Sequence, residues 1–229
     1  MKKSKEYSKK IQRLYRSLKR KGPKPAMVYY DDPVEALVWA IISEHITEKQ
    51  TQEAQRRFAE YFLDLNDLRV SRPEEIMEMF GEDKVEGSII TGEVASNLKT
   101  VLHKIFEKYN MVSLLDLKTI GKRPAKETLE KIGVASKFAV DYCMLTAFGG
   151  HSIPLTPKML EYLKSQELVH PEATEEEIEG FLTRQIPSKN GFEFYMLLRK
   201  ESETDKKPPK KGRSRQKDDG TAVGEQTKK

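Results

Sequence analysis

Apolar residues recur along this chain at helical intervals, and nowhere do they alternate for long enough to build a strand. Residues 4–20 carry Ile11, Leu14, Tyr15 and Leu18 at i, i+3, i+4 and i+7, an amphipathic helix with one stripe to bury. Gly22 and Pro23 end it. Asp32-Pro33 reads as an N-cap followed by proline at the first helical position. Val34, Leu37, Val38, Ile41 and Ile42 then give that helix a face wide enough for the core, and Trp39 packs with it. After a connection at 43–46, Thr47 and Gln50 fit a capping box that opens a helix with Ala54, Phe58, Tyr61 and Phe62 on its inner face. Ser71-Arg72-Pro73-Glu74 opens a shorter one carrying Ile76, Met79 and Phe80.

A polar, glycine-punctuated loop over 81–92 precedes a long helix with Val94, Leu98, Val101, Leu102, Ile105, Phe106 and Tyr109 on one side. Leu114, Leu115 and Leu117 predict a short helix. A segment from Pro124 to Lys131 is interrupted by a turn at Gly133, and a second helix runs from about Ala135 to Phe148 with Val140, Cys143, Met144 and Ala147 as its apolar face. Gly149-Gly150 break the chain, and Leu155-Thr156-Pro157 restarts it with Thr156 as N-cap ahead of Met159, Leu160 and Leu163. Thr174 and Glu177 form a second capping box before Ile178, Phe181 and Leu182, and 192–198 is the last apolar segment. There is no internal repeat. The fold class is all-α.

Composition changes this picture at the two ends. Hydrophobic residues make up 37% of the 229 and charged residues 34%, so part of the chain lies outside any core. From Lys200 onward the sequence is Lys, Pro, Gly and Ser without apolar period, which predicts a disordered basic tail over 200–229. Residues 1–24 hold 11 Lys/Arg and one acid, and 200–229 hold 10 Lys/Arg and six acids. The totals of 41 and 36 leave 20 basic and 29 acidic residues to 25–199, a net of −9. Basic ends on an acidic body read either as solvated tails or as contacts for a polyanion such as nucleic acid. The single cysteine, Cys143, excludes an internal disulfide and a cysteine-rich metal or iron–sulfur site. His103, His151 and His170 lack metal-ligand spacing. We expect no metal and no cofactor. The basic N-terminus lacks the apolar core of a secretory signal, and no apolar run approaches the ~20 residues of a membrane span. The expected setting is the cytoplasm, with nucleoid association in a bacterium, and no membrane partner.

The chemistry concentrates at Ile132, Gly133, Val134, Ala135 and Ser136, the turn between two helices, with Lys137 in the first turn of the second. At such a turn backbone N–H groups point outward and the helix dipole adds partial positive charge. A phosphate can bind there without a basic side chain, in a contact that positions a duplex without reading its sequence. An acidic body can hold DNA in this way. A short glycine turn alone is a weak signal.

Here the chain resembles the helix-hairpin-helix DNA glycosylases of the endonuclease III family, whose hairpin reads Leu-Pro-Gly-Val-Gly-Arg-Lys-Thr-Ala and continues to Thr-Ala-Phe-Gly. The segment from Lys131 to Ala139 is followed by Thr146-Ala147-Phe148-Gly149, one residue later than in that pattern. Asp32-Pro33-Val34-Glu35-Ala36-Leu37 through Ser43-Glu44-His45-Ile46-Thr47 is similar to the family's Ser-Pro-Phe-Glu-Leu-Leu and Ser-Ala-Gln-Thr-Thr-Asp segments. The basic helix before a proline-containing linker also matches. The likeness spans about residues 8–200.

The resemblance implies a central helical domain over 27–150 with the hairpin, and a second lobe from 1–26 plus 151–199, flanking a cleft. It implies double-stranded DNA as partner, damaged or abasic, with the damaged base flipped into the cleft, and a monomer. It also implies a lysine nucleophile attacking the sugar C1′ with help from an aspartate. Lys137 occupies the lysine position, but the aspartate position is Thr156, which keeps the N-cap and cannot supply a carboxylate. Ala135 replaces the second hairpin glycine, His45 stands where the family often has glutamine, and the four-cysteine iron–sulfur loop is absent.

Each candidate has a plainer reading. Lys137 is either a Schiff-base nucleophile or a phosphate-facing lysine. Asp141, at i+4, either replaces the lost carboxylate or pairs with Lys137. Glu44 and His45 line the pocket with Thr156, or simply end a helix. Tyr29, Tyr30 and the aromatics of 192–195 fit core better than base-stacking platforms. Three functions stay open: a glycosylase or abasic-site lyase using Lys137, a catalytically inert DNA-binding protein on the same scaffold, or a helical protein-interaction module.

Overall fold

The computed structural model describes residues 4–80, 92–132 and 136–204. The predicted 81–92 loop, except Gly92, the turn residues Gly133, Val134 and Ala135, and the tail from 205 lie outside the described residues. Among those described, eleven α-helices and two 3-10 turns occur, with no strand. They are α1 (Ser4–Arg20), α2 (Pro33–Ser43), α3 (Glu48–Tyr61), α4 (Leu65–Val70), α5 (Pro73–Met79), α6 (Gly92–Tyr109), α7 (Lys122–Lys131), α8 (Lys137–Thr146), α9 (Pro157–Ser165), α10 (Glu175–Gln185) and α11 (Gly191–Glu203). None of them is long and apolar enough to cross a membrane.

The predicted caps form. Asp32 accepts the Val34 N–H at 3.0 Å and also the Leu114 N–H and Ser113 hydroxyl, so one carboxylate starts α2 and ties down the approach to the Leu115–Lys118 turn. Thr47 with Gln50 and Thr174 with Glu177 make full capping boxes. α2 and α8 are buried along nearly their whole lengths and pack on each other. Around them α3 and α6 each pack on α2, α5 packs on α3 and α6, and α4 on α6. α1 lies on α10 and α11, α9 on α11, and α11 touches α8.

Some expectations shift. Tyr61 is 47% exposed, because α3 ends there and extended backbone at Phe62 turns that ring inward instead, 5.5 Å from Phe58. α4 was not legible: its six residues, capped by Asp64, bury only Leu68. Leu115 is exposed while Leu114 and Leu117 are buried, since the turn there is 3-10 rather than α. The second hairpin helix is shorter than expected, starting at Lys137 behind the Ser136 cap and ending at Thr146. The expected tail boundary at 200 also moves, because α11 continues to Glu203, whose carboxylate accepts the Glu48 N–H at the start of α3.

Cys143 lies in the α2–α8 contact, buried, with its Sγ donating to the Pro33 carbonyl at 3.4 Å. Burial pushes the thiol far up from its ordinary range. The folded protein is therefore expected to resist thiol-specific disulfide reagents at pH 8 and to react once denaturant opens the core. A rapid native reaction would show that this contact opens readily.

Candidate nucleic-acid interface

α7 and α8 pack on each other as the two arms of the predicted hairpin. The first arm ends at Ile132, whose carbonyl accepts the Lys104 ammonium of α6 at 3.1 Å, so a cation stands at the entrance to the turn. The second arm starts at Ser136. Its hydroxyl accepts the Ala139 N–H at 3.1 Å and donates to Glu44 Oε2 at 2.5 Å. Glu44 is the C-cap residue of α2, so the end of one core helix holds the start of the other.

Lys137, one residue on, reaches two carboxylates. Its Nζ donates to Asp141 Oδ2 at 2.5 Å, one turn along α8, and to Glu179 Oε2 at 2.7 Å, from α10. Its side chain is 31% exposed. Burial pulls the amine's pKa down, but hydrogen bonds and charge from Asp141 and Glu179 outweigh it, and the net shift is upward from the ordinary lysine value. Lys137 is an ammonium ion here.

Asp141 is 2% exposed and is shared. Besides Lys137 it accepts from Lys126 of α7 at 2.9 Å and from the Ser152 hydroxyl at 3.4 Å. The i,i+4 pair predicted from spacing forms, within a larger node that ties both hairpin arms to the segment after Gly150.

These groups open on a cleft of about 520 Å³ lined by Lys126, Glu130, Lys137, Val140, Asp141, Glu176 and Glu179. Four carboxylates face two ammonium groups. Glu175, at the start of α10, has its pKa raised by burial and by repulsion from Asp141, Glu44 and Glu179, against the attraction of Lys137. The cleft is acidic, while outside its lining the Lys104 ammonium sits on the Ile132 carbonyl.

The remaining candidates stand apart from this cleft lining. His45 is exposed just past the end of α2. Thr156 is buried, and its hydroxyl accepts the Met159 N–H at 3.3 Å, the N-cap duty expected of it. Tyr30 is buried beside Tyr142, while Tyr29 is exposed with the Lys118 ammonium over its ring at 4.8 Å. Trp39 and Met144 are buried in the core. Sequence reasoning missed Lys126, Glu179 and Lys104. Their own helices mark them only as polar positions, and no local spacing links Glu179 to a lysine 42 residues earlier. Among the described residues, no group of three or more His, Cys, Asp or Glu has an arrangement that could hold a metal ion.

No protein-family model matches the sequence, and a search of curated proteins finds no match. Solved structures do match. An endonuclease III trapped as a covalent intermediate on DNA aligns over 83% of this chain and 84% of its own, at 15% identity and a TM-score of 0.63. The 8-oxoguanine glycosylase/lyase of Clostridium acetobutylicum, in complex with double-stranded DNA, aligns over 85% of this chain and 68% of its own, at 18% identity and a TM-score of 0.61. A thermostable thymine-DNA glycosylase aligns over 90% of both chains, at 14% identity and a TM-score of 0.60. At these identities the likeness establishes architecture: the chain has the all-α fold of the helix-hairpin-helix DNA glycosylases.

Proposed function

We propose that this chain is a duplex-DNA-binding protein of base-excision-repair type, in which Lys137 rests as an ammonium ion rather than as an armed nucleophile. The observation that carries the DNA part is the fold, shared over 83% of the chain with an endonuclease III solved on DNA. The hairpin between α7 and α8 takes the phosphate backbone, with Lys104 beside its entrance adding charge. The helices of 27–150 and the lobe of 1–26 plus 151–199 close the Lys137 cleft between them. The two carboxylates on Lys137 favour the inert form, because a Schiff base needs a neutral amine.

A second reading, an abasic-site lyase, is favoured by Glu179 alone. Its side chain is 17% exposed at the cleft and hydrogen-bonded to Nζ, so it could take the proton that frees the amine.

Two measurements test the proposal. Residues 205–229 should be removed and duplex binding followed from 50 to 200 mM salt. A cut at 200 would also delete Glu201, paired with Lys21, and the Glu203 cap. Binding should survive the truncation and weaken steeply with salt; a full chain that binds no duplex at 50 mM salt ends the DNA reading. Borohydride trapping on an abasic-site duplex at pH 7 should yield no adduct that depends on Lys137. An adduct lost in Lys137→Ala selects the lyase.

A further inference from the structure

Away from the cleft, α1 carries a second charged surface. At 3.6 residues per turn, Lys5, Lys9, Arg13, Arg16 and Arg20 fall within an arc of about 80°. Ile11, Leu14, Tyr15 and Leu18 occupy the opposite side and pack on the protein. The two sides treat their cations differently. Next to the docked side, Lys19 pairs with Glu193 at 3.6 Å, Lys10 donates to the Glu167 carbonyl at 2.9 Å, and Lys21, just past the helix, pairs with Glu201 at 2.5 Å. The five outer cations are exposed and have no ion pair or hydrogen bond among the described residues.

Other helices show what an ordinary solvated face of this protein looks like. On α3, Arg56 sits between Glu53 and Glu60, and Arg57 shares Glu53. Arg72 pairs with Glu75 and Arg123 with Glu127. On α1 the same i,i+3 and i,i+4 spacings join Lys5 to Lys9, Lys9 to Arg13, Arg13 to Arg16 and Arg16 to Arg20, like charges that repel within the helix. A partner bearing a row of negative charge relieves that repulsion. The apolar side of α1 is spent on α10 and α11, so the helix has nothing left to insert into a lipid surface.

We propose that the outer face of α1 is a second nucleic-acid contact, separate from the hairpin, that takes the phosphates of one strand of a duplex. It rests on the DNA-binding reading above. The stripe from Lys5 to Arg20 is about 22 Å long at 1.5 Å per residue. Each strand of a duplex carries a negative charge for about every 3.4 Å of axis, a density high enough to supply the five cations with phosphates. The contact is independent of sequence, and it lets an acidic body hold DNA beyond the hairpin.

The test is the full chain carrying Lys9→Gln, Arg13→Gln, Arg16→Gln and Arg20→Gln, with an undamaged 20-base-pair duplex as probe and fluorescence anisotropy from 50 to 200 mM salt. The slope of log affinity against log salt should fall by about 3–4, at about 0.9 for each phosphate no longer neutralised. Arg13→Lys with Arg16→Lys and Arg20→Lys should keep the wild-type slope, since charge is what is read. Circular dichroism checks folding; if the fourfold variant fails to fold, Arg13→Gln with Arg16→Gln decides, with an expected fall of about 2. An unchanged slope in a folded variant overturns the α1 contact and leaves the DNA reading standing. A wild type that binds no duplex at 50 mM salt overturns both. Tighter binding to phosphatidylserine vesicles or polyglutamate than to duplex, abolished in the glutamine variant, overturns nucleic acid as the partner.

Discussion

Arg199→Met should cost about 3–5 kcal/mol of folding stability, the range for removing one partner of a buried ion pair. Arg199 is 1% exposed on α11. Its guanidinium donates to the Ser43 carbonyl at 2.6 Å, the Ile46 carbonyl at 2.9 Å and the Tyr195 hydroxyl at 2.7 Å, and pairs with Glu203 at 2.9 Å. Glu48 lies 3.8 Å from Nε. One side chain thus satisfies the backbone of the connection between α2 and α3 and neutralises the carboxylate that caps α3. Methionine fills similar volume but leaves two buried carbonyls without a donor and two carboxylates without a cation. In thermal melts the loss should appear as a fall of roughly 10 °C, at about 2–4 °C per kcal/mol for a chain of this size. A shift under 3 °C would mean that water takes over these contacts and that the anchor is weaker than its geometry.

The second large effect concerns Lys137. Burial acts to lower its pKa and Asp141 and Glu179 are the main groups that oppose it, so removing both carboxylates should bring the amine down sharply from its raised value. Asp141→Asn with Glu179→Gln keeps shape and an oxygen acceptor for Lys126 and Ser152. At pH 8 the double variant should trap on abasic-site DNA at least about tenfold faster than wild type, tenfold being one pKa unit of added amine. The triple variant with Lys137→Ala should not trap at all. The sign decides the chemistry. If wild type does trap, and as fast as or faster than the double variant, the carboxylates assist the amine rather than hold its proton, and the lyase reading replaces the inert one. The same ion pairs imply a pH dependence of stability. Lys137 has a raised pKa when folded, so its contribution is fully present below the unfolded lysine value and fades as pH rises from there through the folded one.

Much of this molecule is local and could be read directly. Asp32-Pro33, Thr47 with Gln50, Thr156-Pro157 and Thr174 with Glu177 mark helix starts because a cap is satisfied within three residues of itself. The stripe on α1 and the wide apolar face of α2 follow from a period of 3.6. The pairing of Lys137 with Asp141 follows from one turn of helix. Failures came where local signal was thin. α4 is too short to show a period, and the fate of Tyr61 and Phe62 turned on a single extended residue at the end of α3.

What the sequence by itself determined is therefore most of the helices and their inner faces, the two helices α7 and α8 with Lys137 at the start of the second, and the split between an acidic body and basic ends. The tertiary structure decided which distant charges meet. Glu179 reaches Lys137 from α10, Lys126 joins Asp141 across the hairpin, Lys104 caps Ile132, Glu44 holds Ser136, and Arg199 spans to Ser43 and Ile46. A helix displays every polar residue as exposed until another helix is laid against it, and the choice among them is made by packing. That packing set Lys137 between two carboxylates, and left five cations of α1 facing outward.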